Sequence, residues 1–158
     1  YTTEPIWRIA SWVMLREKAT GTEFYFYNTH FGFYPEFHIR ASVLLNNHIA
    51  QNTGNLPVIV TGDFNMPNFY PFYGFLEQWG EKPLTEAYRA ESFLVSPFDG
   101  TTASGVLLES AFSAHIDYVF VSEAVQVLSC DIVRYSYNGV NTPSDHHPVA
   151  MRCQIPVN

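Results

Sequence analysis

The sequence predicts an α+β fold, a mixed and mostly antiparallel sheet with helices on one face. Three observations carry that reading. Several short segments alternate apolar and polar residues or run continuously apolar, as strands do. One longer segment switches to a helical period. No internal repeat, low-complexity stretch or linker divides the 158 residues, so the chain reads as one unit.

The elements follow in order. Residues 7–16, WRIASWVMLR, are strand-like, and Thr20-Gly21 marks a turn. Residues 23–29, EFYFYNT, alternate and are rich in aromatics, which predicts a second strand antiparallel to the first and running out at His30. From Glu36 to about Gln51 the pattern is helical, with Ile39, Val43, Leu44 and His48 on one face, and Asn52 to Asn55 stop it. Pro57 then introduces PVIVTGD, a continuous apolar run of the kind that forms a strand covered on both faces. Residues 70–79 predict a short helix that packs Phe72, Phe75 and Leu76 inward, and 83–105 read mostly as loop. Three strands complete the chain at 115–122, 125–135 and 147–155.

Hydrophobic residues make up 47% of the chain and charged ones only 15%, a balance that excludes a disordered segment. No apolar run reaches the length of a membrane span. The net charge is -7, and the eight Lys and Arg are scattered without a basic stripe. That argues against coating long duplex DNA, though not against handling one phosphate beside a metal ion. Cys130 and Cys153 lie in apolar strand-like runs without metal-ligand spacing, which favours buried free thiols over a disulfide.

Four polar clusters stand at or near strand ends: Asn28-Thr29-His30, Gly62-Asp63-Phe64-Asn65, His115-Ile116-Asp117-Tyr118 and Ser144-Asp145-His146-His147. Strand ends at one edge of a sheet gather reacting groups from distant parts of a chain. Singly, each cluster also has a plain structural explanation. Asp63 and Asn65 suit an Asx turn, His30 a satisfied core histidine, and Asp145-His146 a turn into the last strand. Asp117 is harder to explain that way. It interrupts an apolar strand, and a buried carboxylate without a partner costs several kcal/mol, so a histidine or a metal is expected beside it.

Together, NTH at 28–30, GDFN at 62–65, IDYVFV at 116–121 and SDHHPV at 144–149 resemble the endonuclease/exonuclease/phosphatase, or DNase I-like, superfamily. The likeness runs from Arg8 to the last strand. It looks closest to an uncharacterised bacterial branch, nearer the deadenylases than the abasic-site endonucleases. The resemblance implies half of a four-layer α/β/β/α sandwich, with residues 1–158 as the C-terminal portion of one domain. The N-terminal half, with a metal-binding glutamate in a Gln-Glu pair, is absent from this sequence and is the expected packing partner. A half by itself would expose the apolar face meant for that partner.

The resemblance further implies hydrolysis of a phosphodiester or phosphomonoester at an Mg²⁺ site, with Mn²⁺ as the alternative ion. Asp117 would orient and charge-stabilise His146, and His146 would act as general base or hold the phosphate. Asp145 and Asp63 would hold the metal. Asp63 would also position or deprotonate the water or assist the leaving group, while Asn65 and His30 would donate to phosphate oxygens. Arg8 matches an arginine on the first strand and is a candidate substrate contact, with a surface role equally open; Arg40 has the same standing. Histidines 38, 48, 115 and 147 match no required role. One or two rings from FGFYPEF (31–37) and FYPFYGF (69–75) could stack on a flat substrate group. Nucleic acid, nucleotide, and lipid or inositol phosphate all suit this chemistry as substrates. The alternative is a catalytically incomplete fragment or decayed relative that binds without hydrolysing, and a nucleic-acid-binding module is disfavoured by the acidic balance.

Overall fold

The structure is a computed structural model and describes residues 7–90, 115–133, 144 and 146–157. Its elements are β1 (Ala10–Arg16), β2 (Glu23–His30), α1 (Pro35–Thr53), β3 (Val58–Asp63), a 3₁₀ turn (Pro71–Tyr73), α2 (Gly74–Glu77), β4 (Thr85–Glu86), α3 (Ala87–Ala90), β5 (Asp117–Val121), β6 (Gln126–Ile132) and β7 (Val149–Gln154). Five strands form one sheet in the order β1-β2-β3-β5-β4, and β6 and β7 form a second sheet of two. The larger sheet is mixed: β2 and β3 run parallel, and the other pairs are antiparallel.

The sheet has two unlike faces. One is covered by α1 and the turn-α2 segment, where Leu45, Ile49, Tyr73 and Leu76 pack with Tyr27, Val58, Val60 and Phe120. On the other, Ile59, Val119 and Val121 meet Ala87, Val125 and Cys130, with Met151 and Cys153 packed alongside. α1 and α2 therefore lie on one face, as the sequence predicts, while α3, as short as α2, packs through Ala87 on the other face with the two-stranded layer. β3 sits in the middle with Val58, Ile59 and Val60 buried, which is why its sequence is continuously apolar rather than alternating. Cys130 and Cys153 are free thiols, and burial pushes the Cys153 thiol above its ordinary pKa.

Three sequence expectations change. The buried face of α1 is His38, Ser42, Leu45, Asn46, Ile49 and Thr53, whereas Leu44 is 69% exposed. Polar residues on the inner face hide the period. His38 Nε2 reaches Gly32 O at 2.7 Å, and the Asn46 amide binds both the carbonyl (2.8 Å) and the N–H (3.1 Å) of Lys82. In the 3₁₀ turn and α2, Tyr73 and Leu76 are the buried residues, while Phe72 and Phe75 are only half-buried. The start of the 83–105 stretch holds β4 and α3 rather than loop, because Thr85 and Glu86 add a short edge to β5. Residues 91–105 lie outside the described residues.

β1 is the sheet's outer strand and is exposed throughout. Trp12, Val13, Met14 and Leu15 stand half open, and Trp7 just before it is 96% exposed. Among the described residues the sheet thus ends in the two-residue β4 beside β5 and in the long, apolar, exposed β1 at the other edge.

Candidate active site

Register gathers the site. His30 ends β2 and pairs laterally with Asp63, which ends β3, and Asp63 in turn pairs with Asp117, the first residue of β5. Three of the four polar clusters therefore form one row across the sheet. His146, from the segment leading to β7, closes it: its Nδ1 lies 2.7 Å from Asp117 Oδ2 and its Nε2 3.9 Å from Asp63 Oδ2. An ionised carboxylate only accepts, so Nδ1 donates and Nε2 is turned towards Asp63. This is the partner that Asp117 lacks in the bare sequence.

Asp63 is held from its own loop. Its Oδ1 accepts the Asn65 backbone N–H at 2.8 Å, which is an Asx turn, and leaves Oδ2 facing the histidines. The plain structural reading of GDFN and its place in the row are thus both true. Asn65 adopts φ 48°, a conformation that asparagine tolerates better than most residues, and its Nδ2 donates to Phe31 O at 3.0 Å. One amide hydrogen is committed to that carbonyl, so a contact from Asn65 to a ligand would use the other. Desolvation raises the Asp63 pKa above its ordinary value, and the nearby Asp117 charge adds to the rise. The Asn65 N–H, His30 and His146 act in the opposite direction without cancelling it.

His30 stands between two groups. Its Nε2 is 3.0 Å from Arg8 Nη1 and 3.3 Å from Asp63 Oδ2. Guanidinium only donates and a carboxylate only accepts, so Nε2 either takes the Arg8 hydrogen on its lone pair or offers its own proton to Asp63, one at a time. Arg8 also lies over the Phe33 ring, 4.8 Å from its centroid, which ties the 31–37 aromatic segment to the site. Asp145 lies outside the described residues. The other predicted residues, Arg8, His30, Asp63, Asn65, Asp117 and His146, are brought together.

Asp63, Asp117, His146 and His147 line a cavity of about 340 Å³ together with Ser144 and Pro148. A larger apolar groove of about 1070 Å³ begins at Arg8 and His30 and runs between Trp12, Tyr27 and α1. The ligand atoms of Asp63, Asp117 and His146 lie within 4.8 Å of one another, close enough to serve one cation. With Nδ1 of His146 bonded to Asp117, the outward donors are carboxylate oxygens and one imidazole nitrogen. The carboxylate oxygens fit a hard divalent ion which takes one or two carboxylates and keeps several waters, and such an ion does not call on the softer imidazole nitrogen.

The sequence profile of the Endonuclease/Exonuclease/phosphatase family matches residues 1–146. The chain belongs to this family. Solved structures are similar over nearly the whole chain. A mannosyl-6-phosphatase of Bacteroides thetaiotaomicron is 27% identical with a TM-score of 0.79, covering 94% of this chain and 57% of that one. An endonuclease/exonuclease/phosphatase from Bacteroides vulgatus is 27% identical with a TM-score of 0.80, covering 94% and 56%. The human nocturnin catalytic domain, solved with a bound sulfate, shares the fold at 23% identity and a TM-score of 0.66, over 92% of this chain and 53% of that one. The chain thus spans rather more than half the length of the proteins it resembles. No curated protein matches the sequence.

The sequence placed His115 in a polar cluster without a role and did not single out Glu86. His115 Nε2 lies 2.9 Å from Asp117 O, and Glu86, 1% exposed, sits behind it with Oε1 3.7 Å away. No sequence signal marks Glu86, because β4 is Thr85-Glu86 alone within the polar stretch EKPLTE (81–86).

Proposed function

We propose that this chain carries the carboxylate-histidine side of a divalent-metal-dependent phosphoester hydrolase site. The observation that carries the reading is the row His30-Asp63-Asp117 closed by His146, with the 2.7 Å Asp117-His146 bond at its centre. Family membership and the phosphatase among its structural neighbours support the same reaction class.

The residues divide the work as follows. Asp117 fixes the His146 ring and stabilises the imidazolium that forms when Nε2 takes a proton. Asp63, with Oδ1 tied by Asn65 and Oδ2 open, orients the attacking water and receives or passes its proton. Its raised pKa brings it nearer to a working base. Arg8 and His30 lie at the mouth and would each donate to a phosphoryl oxygen, Arg8 by exchanging its His30 contact for the phosphate. Asp63 and Asp145 would hold the cation, Mg²⁺ or Mn²⁺, which supplies charge to the phosphoryl oxygens.

For substrate, a small phosphomonoester such as a sugar phosphate is favoured over a nucleic-acid polymer. The net charge of -7 and the absence of a basic stripe weigh against a long polyanion, and a mannosyl-6-phosphatase is among the neighbours at 27% identity. A second reading, an incomplete site that binds without hydrolysing, is favoured by the chain spanning 57% of that neighbour. The test is metal removal from the full-length gene product. EDTA should abolish turnover of p-nitrophenyl phosphate and of mannose 6-phosphate, and Mg²⁺ or Mn²⁺ should restore it. EDTA-resistant turnover would contradict the metal assignment, and no turnover with any divalent ion would favour the incomplete site.

A further inference from the structure

Around the first residues of β5 lies a second polar cluster that the scheme above does not use. Glu86 in β4 is 1% exposed, and its Oε2 accepts the Tyr73 hydroxyl at 2.6 Å. Its Oε1 lies 3.7 Å from His115 Nε2, and that same nitrogen is 2.9 Å from Asp117 O. A carbonyl only accepts, so Nε2 carries the proton and donates to the Asp117 backbone. The imidazole is fixed on two further sides. It stacks on Tyr118 at 4.6 Å between centroids with 24° between planes, and meets Tyr88 edge-on at 5.5 Å. The Tyr118 hydroxyl reaches back to His115 O (2.6 Å) and Met66 O (3.0 Å), and Phe64 N–H binds Ile116 O at 2.8 Å. The backbone from His115 to Asp117 is therefore pinned by side chains at the point where Asp117 turns towards His146.

A buried carboxyl group is a poor way to add stability compared with an apolar side chain of similar size. What Glu86 provides is a fixed wall behind one imidazole edge, and that imidazole holds the residue on which the Asp117-His146 bond depends. We propose that His115, backed by Glu86, is a positioning residue of the site: its donation to the Asp117 carbonyl sets the aim of the Asp117 carboxylate at His146. The proposal rests on the hydrolase reading, and a misplacement near 1 Å in such a pair is expected to cost on the order of 10²-fold in rate.

The test is a double-mutant cycle in the full-length gene product, with p-nitrophenyl phosphate and Mg²⁺ as the assay. His115→Phe keeps a ring to stack on Tyr118 and removes the donor, whereas His115→Gln keeps a donor near the Nε2 position. The Phe variant should lose roughly 10- to 100-fold in kcat with KM within about twofold. The Gln variant should recover most of that loss. In an Asp117→Asn background, His115→Phe should cost less than about twofold more, because the aim it sets no longer matters. Should the Phe variant fail to fold by thermal melting, His115→Asn, too short to reach the carbonyl, replaces it in the cycle. An unchanged kcat, a Gln variant as damaged as Phe, or losses that multiply with Asp117→Asn would each overturn the positioning role alone. An Asp117→Asn enzyme as active as the wild type would overturn the hydrolase reading as well.

Discussion

Asp63 carries opposing demands in a single side chain. Desolvation raises its pKa, so the folded state binds a proton more tightly there than the unfolded chain does. Stability from this group therefore falls as pH rises from the ordinary carboxylate value of 3.8 through the raised one, and the ionised form opposes folding above that window. Asp63→Asn should raise the Tm at pH 7 in EDTA-containing buffer by a few degrees, on the order expected for about 1 kcal/mol or less. The gain should shrink as pH falls through that window and vanish well below 3.8, where the wild-type carboxyl is protonated in both states. Melting curves at the two pH values check this, and an equal or lower Tm at pH 7 would count against it. At this scale much of the site was legible in the sequence: His30, Asp63 and Asp117 each put a polar group where an apolar run begins or ends. The tie from Asn65 Nδ2 to Phe31 O and the sharing of His30 between Arg8 and Asp63 were not, since both depend on which groups fold within about 3 Å.

Among the elements, the β2-β3 pair does most to set the row, and one glycine makes it possible. Gly62 pairs with Thr29, has φ 153°, and a Cβ built there would lie 2.1 Å from Thr29 O. Gly62→Ala must therefore push β2 from β3 next to His30 and Asp63. It should destabilise by more than about 1 kcal/mol, measured by urea unfolding, and lower turnover as well. Wild-type stability in that variant would show that the strands have room to separate. α1 shows why elements are less legible than strand ends. Its inner face carries His38, Ser42, Asn46 and Thr53 beside Leu45 and Ile49, so apolar spacing pointed to Leu44, which is exposed. His38 and Asn46 are tolerated inside because the helix packs on loop backbone, with Gly32 O receiving His38 and Lys82 receiving Asn46, while Thr53 Oγ1 donates to Ile49 O of its own helix. Lys82 completes the lock with its ammonium on Thr53 Oγ1 (2.6 Å) and Gly54 O (2.7 Å), at the C-terminal end of the helix where a cation is favourable. β4 was missed for a simpler reason, since two residues make no period.

For the whole molecule, the asymmetry of the large sheet is the main fact. The α1 face and the β6-β7 face close over β3 and β5, while β1 leaves Trp12, Val13, Met14 and Leu15 half open beside exposed Trp7 and Ile9. An apolar strand at an open sheet edge favours pairing with another chain or another part of the same one. The N-terminal packing partner expected from the sequence would provide such a cover, and the chain spans 57% of the mannosyl-6-phosphatase it resembles. Residues 1–158 expressed alone should then self-associate with rising concentration in sedimentation velocity, and Trp12→Lys with Val13→Lys should reduce that association. A monomer at high micromolar concentration would argue that the strand needs no cover. The fold class and the strand order's polar row were visible in the sequence; the division into two sheets was not, because period alone does not say which strands share hydrogen bonds.

The account depends most on the bond between Asp117 and His146, 2.7 Å long and joining residues 29 positions apart. The direct measurement is kcat and KM for p-nitrophenyl phosphate with Mg²⁺ in the full-length gene product, wild type against Asp117→Asn and His146→Ala. Each variant should lose about 10²-fold or more in kcat with KM little changed, and the double variant should be no worse than the poorer single one. Turnover retained within a few-fold in either single variant would contradict the claim that this pair performs the chemistry.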